Sequence, residues 1–258
     1  MKRVARATTR FPEAEVPMSD APRMSPLAVA AVALCGLLAL SVPAAVPEGT
    51  KSEPQSPPRS AFAGSDEDSI DAERLYGALV RVQTTAVPNA RSNATLGRER
   101  EGTGTVIGKG GVILTIGYLI VEADDVKVTD SQGRTYPARV LAYDHATGLG
   151  LIKTSVPFNV PPVPLGNSAK LADREPVLVA GWGGIPDTAL AYVASRRPFT
   201  ANGEYMLDEA IFTVPATTGW SGAALVDRRG TIVGAGSLIA RDATAEEPQM
   251  PGNMFVPI

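Results

Sequence analysis

From residue 79 to its end, the chain is built of short runs rich in β-branched and other apolar residues, separated by turn sequences. Twelve such runs are present: 79–84, 104–107, 112–115, 126–129, 138–143, 149–153, 177–180, 190–195, 210–214, 224–227, 231–237 and 253–257. Glycine-containing turns separate several of them, at 109–111, 130–133 and 227–230. A dozen short strands at this spacing predict an all-β domain, either a closed sandwich or a pair of barrels. No helical pattern longer than two turns interrupts them, which disfavours folds with alternating strands and helices.

The N-terminal region has the pattern of an export segment. No charge occurs between Arg23 and Glu48, and residues 27–42 are continuously apolar or small. Basic residues precede this segment, so residues 1–23 are expected in the cytoplasm and the rest of the chain outside it. Small residues follow at 43–45, as at a signal-peptide cleavage site, but the long basic segment favours a retained signal anchor. We therefore expect residues 24–46 to form a hydrophobic helix that acts as a signal anchor or a cleaved signal peptide. The first outcome gives a single-pass membrane protein, and the second a periplasmic or secreted one.

Residues 47–69 are rich in Pro, Ser and acidic residues and contain little that could be buried. This composition predicts a disordered linker. A short helix is expected at 69–76, and the folded domain at 70–258. That length is enough for one sizeable β domain or two small barrels.

The composition excludes several classes of chemistry. The chain has one Cys, Cys35, and one His, His145, so it cannot form an intramolecular disulfide or a Cys-rich zinc site. A formal charge of -3 does not match a protein whose main partner is nucleic acid. The run at 102–110 superficially suggests a phosphate loop, but Gly110 follows Lys109 where a Walker loop needs Ser or Thr. We therefore expect no nucleotide, cofactor or metal.

Five sequence blocks, in the same order, resemble the HtrA/Deg branch of the trypsin-like serine proteases. They are GTGTVI at 102–107, ILTIGYLI at 113–120, DHATGLGLIK at 144–153, PLGNSAKL at 164–171 and GWSGAAL at 219–225. The resemblance implies a trypsin-like fold of two six-stranded β-barrels, the first at about 76–158 and the second at about 163–258. It also implies that the protease domain ends near residue 257, with no PDZ domain after it.

The same resemblance assigns the catalytic triad to positions where this chain departs from the family. The triad His position holds Tyr118, the triad Asp position holds Gly148, and only the nucleophile position is retained, as Ser221. A serine hydroxyl is a poor nucleophile until an adjacent base takes its proton. A phenol with a pKa of about 10 is not such a base at neutral pH. Loss of the histidine typically costs on the order of 10⁶ in kcat, so the resemblance implies a catalytically inactive pseudoprotease.

Binding features of the family are retained in part. The backbone N–H groups of Gly219 and Ser221 could form an oxyanion-type nest for a carbonyl or carboxylate. The resemblance also implies that Gly234, Gly236 and Ser237 lie on an edge that pairs with a peptide backbone. We expect a protein- or peptide-binding, or scaffold, module.

Two alternatives remain open at this point. In the first, the protein is an active serine endopeptidase that uses Ser221 with a different base, for which His145 is the candidate. In the second, it is a purely structural subunit whose interface lies elsewhere on the barrels.

Overall fold

The computed structural model describes residues 70–201, 205–246 and 248–258. The predicted export segment and the whole of the predicted linker lie outside these residues. Within the described ranges, none of the helices is long and apolar enough to cross a membrane.

Twelve strands and two short α-helices make up the described chain. In order along the chain they are α1 (Ala72–Ala78), β1 (Leu79–Ala86), α2 (Asn93–Leu96), β2 (Glu99–Gly108), β3 (Val112–Ile116), β4 (Ala123–Thr129), β5 (Thr135–Tyr143), β6 (Leu149–Thr154), β7 (Pro176–Ala180), β8 (Thr188–Thr200), β9 (Met206–Val214), β10 (Ala224–Val226), β11 (Ile232–Ala240) and β12 (Gly252–Pro257).

The strands close into two antiparallel barrels of six strands each. The first has the order β1-β2-β3-β6-β5-β4, and the second β10-β11-β12-β9-β8-β7. The prediction of an all-β fold with two six-stranded barrels is therefore confirmed. Closing both sheets leaves no long edge strand exposed, which is one way in which all-β proteins avoid edge-to-edge aggregation.

All twelve predicted runs are strands, although most of the strands are longer than predicted. β2 begins at Glu99, five residues before its predicted start, because polar residues continue the ladder with β1. The helix predicted at 69–76 begins later, at Ala72, and ends at Ala78. Its start is determined by Asp71, whose side chain accepts a hydrogen bond from the Arg74 N–H at 3.0 Å and so caps the helix.

The core follows from the alternation of side chains along the strands. Buried and half-buried positions alternate along β6, whereas all three residues of β10 are buried. The largest fully buried side chains include Phe212 and Phe255 of the second barrel and Ile113 and Ile152 of the first. Burial of each such side chain contributes roughly 1.5–3 kcal/mol relative to leaving it exposed, so these packed interiors are a main source of the stability of the barrels.

A backbone hydrogen bond joins the two barrels beside Ser221. The Thr103 N–H of β2 donates to the Ser221 carbonyl, just before β10, at 2.8 Å. The Trp182 N–H, just after β7, donates to Thr103 Oγ1 at 3.1 Å. The Ser221 loop is thus held directly against the first barrel.

Candidate functional site

Three turns at the junction of the barrels bring the predicted triad positions together. Tyr118 lies in a 3₁₀ turn, Gly117–Leu119, that follows β3. Gly148 immediately precedes β6, and Ser221 lies in the loop before β10. The first two positions belong to one barrel and the third to the other, so the site depends on how the barrels pack.

The Tyr118 hydroxyl donates a hydrogen bond to Ser221 Oγ at 2.9 Å. Both side chains are half-buried. No side-chain nitrogen within the described ranges is hydrogen-bonded to Ser221 Oγ. In this arrangement the serine oxygen accepts a hydrogen bond from the phenol, and a phenol with a pKa of about 10 is not suited to remove the serine proton at neutral pH.

Gly148 leaves space that a tyrosine from the second barrel fills. A Cβ at Gly148 would lie 2.5 Å from Tyr205 Cδ1, and the glycine has a φ of +78°. The Tyr205 hydroxyl lies 2.5 Å from Ser237 Oγ, so this side chain extends from Gly148 to β11. The ring therefore occupies the place into which a longer side chain at 148 would project.

The Tyr118 turn is held from beneath by a buried arginine. Arg100 is only 6 % exposed. Its Nη1 donates to the Tyr118 carbonyl at 3.0 Å and to the Val121 carbonyl at 2.7 Å. Its Nη2 donates to Ser92 Oγ at 2.7 Å. Burial lowers the pKa of the Arg100 guanidinium, an effect that the nearby Glu122 partly opposes.

His145 is exposed and packs on a neighbouring aromatic ring. Its ring centroid lies 4.5 Å from that of Tyr143. Tyr143 in turn packs against Gly117, where a Cβ would lie 2.2 Å from Tyr143 Cε2. The structure therefore places His145 on the outer side of Tyr143, and the hydrogen bond of Ser221 Oγ goes to Tyr118 instead.

The loop around Ser221 keeps two backbone donors free. Within the described part of the chain, the N–H groups of Gly219 and Ser221 donate no hydrogen bond to another residue. The next residue, Gly222, has a φ of +70°, and a Cβ there would lie 2.2 Å from the Thr103 carbonyl oxygen. This close approach to the first barrel requires a glycine and fixes the path of the loop.

The three predicted positions on β11 are all buried, and two of them are tied into the sheet. Gly234 is paired with Leu225 on one side and Pro257 on the other. The Gly236 N–H donates to the Ala223 carbonyl at 2.8 Å, and its carbonyl accepts from the Gly222 N–H at 2.9 Å. The Ser237 hydroxyl is engaged by Tyr205. The fold itself uses both backbone groups of Gly236, which makes the open surface beside Ser221 the better candidate for ligand contact.

That open surface is a cavity of about 200 Å³ next to Ser221. It is lined by Glu101, Gly102, Thr103, Trp182, Asp187, Thr218, Gly219 and Ser221. A second cavity, of about 280 Å³, shares Asp187, Thr218 and Gly219 with the first. Two larger cavities, of about 880 and 510 Å³, involve none of the residues predicted for the site.

Charge in the first cavity comes from two carboxylates. Glu101 forms an ion pair with Arg81, whose guanidinium carbon also lies 4.9 Å from the centre of the Trp182 ring. Partial burial raises the pKa of Asp187, and a hydrogen bond from the Gly183 backbone opposes this shift in part. Within residues 70–201, 205–246 and 248–258, no group of His, Cys, Asp and Glu side chains is arranged to hold a metal ion.

Sequence reasoning did not identify Tyr205, Trp182, Asp187 or Arg100 as parts of the site. Tyr205 lies 57 positions from Gly148 and in the other barrel, so no local pattern connects the two. The glycine-rich run that precedes Asp187, at 181–184, was the available signal for a close backbone approach. The interpretation of Tyr118 and Gly148 came from block order, which does not reveal what fills the space around them.

Comparisons of the sequence and the structure with known proteins all find trypsin-like or HtrA-type proteases. The family model of the trypsin-like peptidase domain matches residues 102–234, just over half of the chain. The serine protease PepD of Mycobacterium tuberculosis is 30 % identical over 240 residues, which cover 85 % of this chain and 52 % of PepD. The HtrA-like serine protease of Staphylococcus epidermidis is 24 % identical over 200 residues, which cover 69 % of this chain and 34 % of the staphylococcal protein. The chain thus spans about half of PepD and a third of the staphylococcal protein.

Solved structures share the fold at lower sequence identity. The HtrA-type protease AlgW with a tripeptide superimposes with a TM-score of 0.56 at 20 % identity, covering 72 % of this chain and 58 % of the AlgW chain. AlgW with a decapeptide gives a TM-score of 0.55 at 21 % identity. These similarities support the same double-barrel architecture.

Proposed function

Because the chain belongs to the trypsin-like peptidase domain family, we propose that it is a member of that family that does not cleave peptides and instead binds them. The observation that carries the proposal is the hydrogen bond from the Tyr118 hydroxyl to Ser221 Oγ. Acyl transfer at a serine needs a base beside the hydroxyl and a group that orients the base. Here the phenol of Tyr118 stands where the base would be. The position of the orienting group is Gly148, and the Tyr205 ring fills the space beside it.

The binding part of the proposal is supported by what the site retains. The free N–H groups of Gly219 and Ser221 open beside a cavity that is lined by the exposed indole of Trp182. Aromatic side chains and free backbone donors are typical of pockets that hold a ligand by apolar contact and a few directed hydrogen bonds. The AlgW structures, which share the fold, contain a tripeptide or a decapeptide.

The catalytic part is tested by covalent labelling of the purified chain with a fluorophosphonate probe. We expect no label above the level of a Ser221→Ala variant, in a reaction where an active trypsin-like protease labels fully. We also expect no casein cleavage that depends on Ser221. Labelling of the wild type that disappears on Ser221→Ala would overturn the pseudoprotease proposal, and its loss on His145→Ala as well would identify the base.

The binding part is tested with a peptide array probed by the wild type and two variants. Trp182→Ala removes an exposed aromatic side chain from the cavity, whereas Tyr192→Ala removes a similarly exposed one that lines neither cavity at the site. We expect Trp182→Ala to weaken peptide capture and Tyr192→Ala to leave it unchanged. Equal capture by all three proteins would place the interaction elsewhere and favour a purely structural subunit. A substitution of Gly236 is not used in this test. A Cβ there would lie 2.0 Å from the Trp220 carbonyl oxygen, so the variant would disturb the Ser221 loop as well as any peptide contact.

We further propose that the domain is exported and tethered to the membrane by residues 24–46, with the N-terminus in the cytoplasm. The proposal rests on the uncharged segment 24–47 and the basic residues before it. Mass spectrometry of the protein from membrane and soluble fractions tests it. A membrane-bound chain that retains residues 1–23 supports the anchor, and a soluble chain that begins after residue 45 indicates cleavage.

A further inference from the structure

The Asp187 side chain lies in a recess that exists because neighbouring residues have no side chain. A Cβ at Gly181 would lie 1.8 Å from Asp187 Oδ2, and a Cβ at Gly219 would lie 2.0 Å from Oδ1. Any other residue type at either position would occupy the space that the carboxylate fills. Two separate loops, after β7 and before β10, are thus shaped around this one side chain.

Among the residues that the structure describes, Asp187 has no cationic partner. Within the described ranges it forms no ion pair, whereas six other acidic side chains do. Partial burial raises its pKa, and the Gly183 backbone donates a hydrogen bond that opposes part of that effect. A carboxylate that has lost some of its water without gaining a cation is held at a cost in folding free energy, which a positively charged ligand would offset.

The other charges around the cavity are already paired. Glu101 is the second carboxylate of the wall, and Arg81 pairs with it while lying over the Trp182 ring. Of the two carboxylates that line the cavity, Asp187 is therefore the one whose charge is not neutralised. The volume of about 200 Å³ holds several waters at about 30 Å³ each, which is room for the end of one long side chain.

We infer that Asp187 makes the cavity beside Ser221 a subsite for a positively charged group of a bound peptide, namely a Lys or Arg side chain or a free amino terminus. The inference rests on the proposed peptide-binding function and adds the class of ligand. Gly219 lies against Asp187 and also carries one of the free N–H donors. One ligand could therefore use both features. A carbonyl of the peptide would accept hydrogen bonds from the Gly219 and Ser221 N–H groups, and a neighbouring positive charge would pair with Asp187.

The two tryptophans of the chain make binding directly measurable. Trp182 lines the cavity and Trp220 precedes Ser221, so all of the tryptophan emission comes from the neighbourhood of the site. The detergent-solubilised full chain is titrated with acetylated, amidated alanine heptapeptides that carry Lys, Arg, Gln or Glu at the centre. A fifth peptide, with the Gln centre and a free amino terminus, separates the two sources of positive charge.

We expect the Lys or Arg peptide, or the peptide with a free amino terminus, to bind about tenfold more tightly than the capped Gln peptide, as one partly desolvated charge-assisted hydrogen bond would give. The Glu peptide should bind most weakly, and the preference should decrease as salt is added. Asp187→Asn, which keeps the shape of the side chain, should abolish the preference. Asp208→Asn, an exposed position on β9, should leave it intact.

The inference fails if the capped Gln peptide binds as tightly as the charged peptides, if Asp187→Asn retains the preference, or if none of the peptides binds. The first two results leave the broader peptide-binding proposal standing. Repeating the titration with Ser221→Ala separates the inference from the pseudoprotease proposal. Cleavage of a peptide by the wild type would refute catalytic inactivity, while a charge preference measured on Ser221→Ala would still assign the subsite.

Discussion

The ring of Tyr205, from the second barrel, fills the space into which a side chain at position 148 of the first barrel would extend. The absence of a side chain at position 148 is thus matched by an aromatic residue from a distant part of the chain. This relationship also opposes the introduction of a carboxylate at 148, because a longer side chain would meet the Tyr205 ring and would be strained at a φ of +78°.

A double-mutant cycle measures this relationship. Gly148→Ala is expected to cost about 2 kcal/mol or more, from left-handed backbone strain together with overpacking against Tyr205. In a Tyr205→Ala background only the strain remains, so urea unfolding should give a coupling energy of about 1 kcal/mol. Gly133→Ala is the matched control, since Gly133 has a φ of +80° and no atom within 4 Å of its Cβ position. Additive costs for Gly148 and Tyr205 would show that the ring does not occupy this space.

The Arg100 side chain is expected to be essential for the geometry of the Tyr118 turn. Arg100→Lys keeps the charge but loses the planar fork that reaches two carbonyls and the Ser92 hydroxyl. We expect a loss of about 1.5–3 kcal/mol in the free energy of unfolding. Arg139→Lys, at an exposed position on β5, should change it by less than about 0.5 kcal/mol. Equal effects of the two substitutions would exclude a structural role for the fork.

The Asp187 carboxylate should make stability depend on pH with a defined sign. Its pKa is raised in the folded state, so between the ordinary Asp pKa of about 3.9 and the raised value the folded state binds more protons than the unfolded state. This contribution makes the wild type less stable as the pH rises through that window. Across the cavity, Glu101 and its partner Arg81 are the charged groups that face Asp187, and the loops 181–184 and 215–219 contribute none.

Asp187→Asn should therefore raise Tm at pH 7, within the about 2–4 °C that about 1 kcal/mol produces in a domain of this size. The gain should disappear below about pH 4, where the wild-type carboxyl is protonated in both states. Thermal unfolding monitored by circular dichroism from about pH 3 to pH 8 measures it, with Asp208→Asn as the control. A variant that is less stable than the wild type at pH 7 would contradict the assignment of Asp187 as an uncompensated charge.

Two glycine substitutions should have opposite effects. Gly236→Ala would place a Cβ 2.0 Å from the Trp220 carbonyl oxygen, which is backbone and cannot swing away, so a loss of about 3 kcal/mol or more is expected. Gly77→Ala in α1 has nothing within 4 Å and should stabilise the domain by about 0.5–1 kcal/mol through helix propensity. Urea unfolding tests both, and tolerance of Gly236→Ala would contradict the described path of the Ser221 loop.

Much of the architecture was predictable because strands in a two-sided sheet carry a local signal. Alternating or continuous β-branched residues between glycine turns located all twelve strands, and the order of five blocks indicated the two barrels. The extents of the strands were less predictable. β8, for example, runs from Thr188 to Thr200 through Arg196 and Arg197, because pairing with β9 continues after the apolar pattern has ended.

The sequence by itself determined the barrel fold and the choice of Tyr118, Gly148 and Ser221 as candidate site positions. The fold follows from local patterns along the strands, and the three positions follow from the order of the sequence blocks. Only the tertiary structure decided what surrounds them. The hydrogen bond from Tyr118 to Ser221 crosses between the barrels, as does the contact of Tyr205 with Gly148. The recess of Asp187 is formed by Gly181 and Gly219, which are 38 positions apart in the sequence. Such contacts depend on how two closed barrels pack against each other, and side-chain packing between distant segments leaves no periodic trace in the chain.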